Sequence, residues 1–563
     1  MDFGGKAITV VSQSGPSGTI IDGYDSSVVV FDDNEGKDAI LQGFTIRGGT
    51  PAIVIASTSP TIVGNVIRGY VVTGGGSIDR VAGIDIFGSS SPTISGNIIK
   101  GNIASVAGSS NAVGAIRVSD SSSPTISGNI ITGNVASVAG SSTAVGAIKI
   151  SGSSSPIVIN NVISKNGAIG SGGCTIVGGI WVCAPATPVI VNNTIANNCS
   201  TGSGGCILAG GVASLKPCPT CGGAWRQCPE CRGLGWVLQS GAGPLLANNI
   251  VWGNSVVYHA EDCTTADDFY ANGTYSLIGS GITDGVGNIT GNPMLARSLP
   301  IDKVRSTFPA PGLPSDQLIL HPPWRQGLSF AVGDTLELNF DGVPRIVLEV
   351  REHQPNWDSM TVVFSPARAK QEMWYAKEYV VNWGSETDLS LDYHLLADSP
   401  CINAGDPNYV ADPNETDLDG LPRVIGGRID MGAYEYPNTI PAACIVGGDR
   451  IAECEGCWGA RVTLDGSCSR DADSTPGTND DIVSFDWYKV DACDPNFEDF
   501  LASGEIIDCN LPLGEHIIVL EVIDKAGAFD TNEVTIIVQE PPRLNLRSQL
   551  RQQHCGRRII RWS

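Results

Sequence analysis

Four cysteines are the residues most plainly spaced for chemistry. Cys218, Cys221, Cys228 and Cys231 form two CxxC knuckles within KPCPTCGGAWRQCPECRGLGWVLQ (216–239). Four thiolates at this spacing close tetrahedrally on Zn²⁺, and a four-cysteine site has no open position, so such a zinc is structural or serves protein binding. The competing reading is two local disulfides in an oxidising compartment. A second set shares one offset: Asp85, Arg117, Lys149 and Trp181 follow one another at 32-residue intervals, each flanked by Ile or Val. Tryptophan beside lysine and arginine stacks on a sugar ring and hydrogen-bonds its hydroxyl or acid groups, so this column is expected to be a glycan-contact stripe. The alternative is a solvated face carrying an Asp–Arg pair between neighbouring strands. Asp471, Asp473, Asp480 and Asp481 offer oxygen ligands for Ca²⁺, as do Asp412, Asp417 and Asp419, but neither group completes a calcium-loop signature, so solvated turn acids compete with that reading.

Catalytic acids are scarce where a solenoid enzyme would need them. Between residues 86 and 200 the only acid is Asp120, and no histidine occurs. Glycoside hydrolysis needs paired carboxylates, and a lyase needs acidic Ca²⁺ ligands with a base. These would have to come from Asp79 or from Glu261, Asp262, Asp267 and Asp268.

The elements that position these groups follow from an internal repeat. Pro60, Pro92, Pro124, Pro156 and Pro188 are 32 residues apart, and the unit 91–122 matches 123–154 at 26 of 32 positions. Apolar residues alternate as on strands. Ile62, Ile94, Ile126, Val158 and Ile190 share one offset; Ile67, Ile99, Ile131, Ile163 and Ile195 a second; Ile84, Ile116, Ile148, Ile180 and Val212 a third. If each unit is one coil, every column becomes a ladder with a spacing of about 4.8 Å. Asn65, Asn97, Asn129, Asn161 and Asn193 form an amide ladder suited to a buried turn. The same register brings Cys174 and Cys206 within disulfide reach. The expected fold is all-β, a parallel β-helix.

Residues 4–10 (GGKAITV), TIIDG at 19–23, LQGFTIRGG at 41–49 and the SPTISGN units resemble bacterial secreted right-handed parallel β-helix proteins of the pectate-lyase-like superfamily. SPCINAGD (399–406) with DLDGLPRVIGGRIDMGAYEY (417–436) resembles the choice-of-anchor-type segment that closes such proteins. The resemblance covers roughly 1–297 and 391–436. It implies an extracellular or surface location and no particular activity, because fold does not fix function. The knuckles are similar to the cysteine-rich region of J-domain co-chaperones. VTLDGSCSRDAD (462–473), DDIVSFDWYKVD (480–491) and the strands of 513–538 resemble a PKD-type immunoglobulin-like domain, with Trp487 as its core tryptophan.

The organisation expected is therefore a β-helix over 1–297 interrupted by the knuckle module at 216–239, a small β-rich insert at 298–390, a closing segment at 391–440, a PKD-like β-sandwich at 441–540 and a basic tail at 541–563. The insert is either a ligand or partner module or a decoration. Seventeen cysteines fit an oxidising compartment, although Met1 is followed at once by strand-like sequence with no leader. The net charge of −24 excludes a general nucleic-acid binder, and no apolar run is long enough to span a membrane. Residues 441–540 hold 21 acids against 5 Lys and Arg. The composite expectation is a non-catalytic extracellular or surface scaffold or adhesin that binds polysaccharide or a cell-surface protein. Two alternatives stand beside it: a polysaccharide lyase or hydrolase, and a zinc-knuckle interaction module carried on a solenoid.

Overall fold

Identical residues at a fixed interval do stack. In the computed structural model Ile94 pairs with Ile126, and Ile126 with Val158, in parallel register. The structure describes residues 1–541 except 24–25, 69–70, 76–78, 108–109, 140–141, 172–174, 204–206, 210, 218–235, 239–243, 259–263, 267–268, 271–273, 280–284, 298–303, 308–315, 321–328, 339–342, 353–359, 368–377, 398, 426–427, 455–458, 472–473, 475–477, 492–493 and 526. Two compact units result, Met1–Pro437 and Asn438–Ser563. Among the described residues the one helix is a single turn, Gly15–Gly18.

Each complete coil contributes five short strands to five parallel sheets, for example Thr93–Ser95, Ile98–Lys100, Ile103–Ala107, Ala112–Val113 and Ile116–Val118. The first, second and fifth sheets enclose the isoleucine columns, which are fully buried. The third and fourth close on a thinner layer of Ala104, Ala136, Ala168, Ala112 and Ala144. The turn into the fifth sheet is tight: a Cβ on Gly146 would lie 2.4 Å from the Gly178 carbonyl oxygen and 2.8 Å from that of Gly167.

Two amide ladders run through the turns, because a turn buried between coils must satisfy its polar groups. Asn161 is representative: its Nδ2 donates to the carbonyls of Ile126 and Ile159 and to Asn193 Oδ1, each at 2.9 Å. The second ladder, Asn102, Asn134, Asn166 and Asn198, was missed from sequence although it obeys the same 32-residue interval. Asn193 then passes directly to Asn249 across 56 residues, one period plus 24. The surplus leaves and returns through an antiparallel stem in which Leu215 pairs with Leu238 and Pro217 with Trp236.

The residue before each ladder asparagine is left-handed. In the first turn it is glycine at 64, 96 and 128 and asparagine at 160, 192 and 248; in the second it is Gly101, Gly133, Lys165, Asn197 and Gly253. Glycine takes this conformation without strain and a side chain does not. The side chains occur where other segments lie over the turn. Asn192 Nδ2 donates to Tyr409 Oη (3.1 Å), Asn248 Oδ1 accepts from Asp406 N (2.7 Å), and Tyr393 Oη donates to Asn197 Oδ1 (3.2 Å).

Residues 298–390 hold a six-stranded antiparallel sheet with its own core, including Leu318, Leu336, Val362 and Phe364. It enters and leaves between Leu295–Arg297 and Asp392–Leu395, which pair with one another. Val381, Trp383 and Leu389 pack on Val135, Ile169 and Cys199 of the third solenoid sheet. In the segment that follows, Arg423 and Glu435 are fully buried 3.0 Å apart. Burial raises Glu435 despite Arg423, with Asp430 adding repulsion.

The second unit has a five-stranded sheet and a two-stranded sheet, compatible with a β-sandwich. Trp487 is fully buried there, and its Nε1 donates to the Gly504 carbonyl at 2.8 Å. A Cys444–Cys468 disulfide lies in this unit.

Candidate functional site

The stripe is vertical. Asp85 pairs with Arg117, Arg117 with Lys149 and Lys149 with Trp181 on the fifth sheet. It is not a solvent-facing surface, and this corrects the glycan-contact expectation. Asp85, Lys149 and Trp181 are 6%, 7% and 4% exposed. The fourth sheet folds back toward the fifth, so their outer faces meet, and Trp181 packs with Val145, Val177, Ala209 and Ala213. Alternation decides which face a side chain takes; it does not decide whether two outer faces meet.

Within this notch the charges satisfy one another. Arg117 donates to Asp85 through Nε (2.7 Å) and Nη2 (2.6 Å), and to Asp79 through Nη1 (3.2 Å). Asp79 also accepts from the Asn111 backbone and side chain, and these bonds lower its pKa although burial alone would raise it. The Lys149 ammonium lies 5.3 Å from the Trp181 ring centroid, and burial, with Arg117 beside it, lowers its pKa. Asp79, offered by the sequence as a catalytic acid, is thus a partner of Arg117.

A different outward column lines a cleft, exposed at Arg68 and Lys100 and buried at Ser164. On the second sheet Arg68 pairs with Lys100, Lys100 with Thr132 and Thr132 with Ser164. These side chains form one wall of a cleft of about 1070 Å³, whose other walls are Glu337 and Val343 of the insert, residues 387–394 and Tyr434. Lys165, in its left-handed turn, reaches from the solenoid to the insert. Its Nζ donates to the Leu389 carbonyl (3.0 Å), pairs with Glu337 Oε2 (3.5 Å) and lies 5.0 Å from the Trp383 ring centroid. Glu337 is fully buried and also accepts from Trp383 Nε1 at 3.0 Å.

Across the cleft, His394 is held at both ring nitrogens, Nδ1 by Asp392 and Nε2 by Asp419 at 2.6 Å. Burial pulls its pKa down, but the two carboxylates outweigh burial and raise it. A carboxylate at each nitrogen favours the protonated ring, and both nitrogens are engaged within the protein. Sequence reasoning missed this cleft, because its walls come from segments 172 residues or more apart in the chain.

The remaining candidates separate. Cys218, Cys221, Cys228, Cys231, Cys174, Cys206, Asp473, Glu261, Asp262, Asp267 and Asp268 lie outside the described residues. Carboxylate oxygens of Asp471, Asp481 and Asp524 lie within 4.8 Å of one another. Asp480 is not in that group, and Asp524 enters it from a strand 43 residues further on. Lys525 Nζ is 3.7 Å from Asp481. Asp412, Asp417 and Asp419 do not converge: Asp417 accepts from the backbone of Asp419, Leu421 and Glu435, while Asp419 holds His394.

Five parallel sheets built from one repeating coil decide the comparison with known proteins. Residues 20–216 match the protein family described as Right handed beta helix region. The right-handed β-helix is thereby established for the repeats, and the inserts, the closing segment and the second unit lie beyond the match. No curated protein matches the chain. No helix among the described residues is long and apolar enough to cross a membrane.

Proposed function

We propose that this protein is a non-catalytic extracellular or surface scaffold whose right-handed β-helix binds a polysaccharide. The observation that carries this reading is the cleft, where a rigid column of cations and hydroxyls on the solenoid faces a wall supplied by the inserted and closing segments. Concave sites lined by a few convergent polar groups are where ligands bind, and rigid elements place such groups better than loops do. An extended chain lying along the axis meets a new side chain at every coil, about 4.8 Å apart. The scaffold reading is favoured over a lyase or hydrolase because His394 has both nitrogens engaged and Asp79 is bound to Arg117 and Asn111. Incubation with neutral and acidic polysaccharides tests it: retention without new reducing ends or unsaturated products is expected, and a ladder of shortened products overturns it.

Zinc at Cys218, Cys221, Cys228 and Cys231 belongs to the same proposal as a structural metal. The antiparallel stem at Leu215–Leu238 supports a self-contained module. One Zn²⁺ per chain is expected, lost in Cys218→Ser and Cys228→Ser; a zinc-free preparation with both pairs oxidised refutes it. In the second unit, Asp471, Asp481 and Asp524 support Ca²⁺. A thermal midpoint raised by millimolar Ca²⁺ and unmoved by it in Asp524→Asn is the expected result.

A further inference from the structure

The cleft column reads, coil by coil, cation, cation, hydroxyl, hydroxyl: Arg68, Lys100, Thr132, Ser164. Arg68 and Lys100 are directly paired neighbours and both exposed. Among the described residues neither side chain has a hydrogen-bond or ion-pair partner. Like charges directly opposite one another on a sheet repel. The fold therefore holds two uncompensated cations side by side in a chain whose net charge is −24.

The acids of the cleft do not neutralise them. Asp388 pairs with Arg297 at 2.6 Å, Asp392 holds His394, and Glu337 is committed to Lys165 and Trp383. In the notch on the fifth sheet, by contrast, Arg117 has two carboxylates of its own. On the second sheet itself Arg47, the neighbour of Arg68 in the preceding coil, pairs with Asp22, whereas Arg68 and Lys100 stand before the cleft without such a partner among the described residues.

We infer that the cleft binds an acidic polysaccharide, with an anionic group of the chain, a carboxylate or a sulfate ester, seated between Arg68 and Lys100. This deepens the polysaccharide-binding reading and rests on it. Guanidinium and ammonium groups make charge-assisted bonds to oxyanions, about twice as strong as neutral ones. Thr132, half-buried and accepting from the buried Ser164 hydroxyl at 3.3 Å, continues the column with a hydroxyl suited to a sugar hydroxyl. A neutral glycan satisfies the hydroxyls but leaves the adjacent charges uncompensated.

The overall negative charge does not forbid this. Residues 86–200 carry one acid, Asp120, against Lys100, Arg117, Lys149 and Lys165. Charges beyond about 10 Å are largely screened at 0.1 M salt, so the local pair governs the encounter.

Binding of the full chain to a polyuronate, to dextran sulfate and to unmodified dextran, by titration calorimetry or affinity electrophoresis, tests the inference. One or both acidic polymers are expected to bind more tightly than dextran, and which of them does so identifies the anionic group. The Arg68→Ala/Lys100→Ala variant should weaken acidic-polymer binding by about tenfold or more with an unchanged melting temperature. Lys37→Ala, an exposed site outside the cleft, should bind as the parent does. Equal binding of dextran and the acidic polymers, undiminished in the double variant, overturns the inference and leaves the polysaccharide reading standing. An equal loss in Lys37→Ala overturns it in favour of diffuse attraction. Binding of no polymer removes both.

Discussion

Two outward columns of one solenoid, three sheets apart in each coil, use charge in opposite ways. Asp85, Arg117, Lys149 and Trp181 combine acid, base and aromatic ring, yet Asp85, Lys149 and Trp181 are buried, Arg117 is paired with Asp85, and Trp181 is enclosed by the neighbouring sheet. Arg68, Lys100, Thr132 and Ser164 are plainer in composition, yet they line a cleft, with Arg68 and Lys100 exposed. Chemical variety in a column is therefore no guide to its use. What decides is the ground opposite: in the notch it is the solenoid's own fourth sheet, and in the cleft it is a segment added later in the chain.

The comparison is most exposed where the two sides of the cleft are tied together. Lys165→Ala leaves the fully buried Glu337 without its cation and should cost about 3 kcal/mol in urea unfolding; a loss near zero would mean that the insert rests on apolar packing alone. Asp85→Ala comes next, at about 2 kcal/mol, because Arg117 is partly exposed and keeps Asp79. Lys149→Met should stay within about 1 kcal/mol or stabilise, since an apolar chain of similar length replaces a buried ammonium. Its signature is in the pH profile. The folded pKa of Lys149 lies below 10.5, so the unfolded chain binds that proton more tightly and parent stability rises with pH just below 10.5. The variant should lack that rise.

His394→Gln should have a smaller effect, under about 1 kcal/mol, because the ring is substantially exposed and solvent screens its ion pairs. The folded pKa of His394 is raised, so its contribution is fully present below pH 6.5 and is lost as pH climbs through the folded value. A parent and variant that differ by the same amount at every pH would show that the imidazolium plays no part. Smallest of all, Arg68→Ala and Lys100→Ala should each move stability by no more than about 0.5 kcal/mol. A larger loss would make the cleft column as structural as the notch column and erase the contrast.

The period, the isoleucine columns and the first asparagine ladder were legible because repetition in a chain becomes adjacency in a stack. The burial of Trp181 was not, since alternation names a face and says nothing about the angle at which the next sheet returns. The cleft was illegible for another reason: Lys100 and His394 meet only because the chain comes back across the solenoid nearly 300 residues later. Yet a trace of that return was present. The doublets Gly64-Asn65, Gly96-Asn97 and Gly128-Asn129 give way to Asn160-Asn161, Asn192-Asn193 and Asn248-Asn249, and Gly133 gives way to Lys165. A side chain in a left-handed turn costs about 1–2 kcal/mol unless something offsets it, and here it marks the coils that are covered. The sequence did not group Asp524 with Asp471 and Asp481, because it lies 43 residues beyond Asp481 in the chain.

The handover from Asn193 to Asn249 shows that this architecture counts turns of the spiral and not amino acids. Duplication of one 32-residue block upstream of Pro60 would then lengthen the rod by about 4.8 Å and carry the cleft outward unchanged. The length of the solenoid could in this way be adjusted by copying alone.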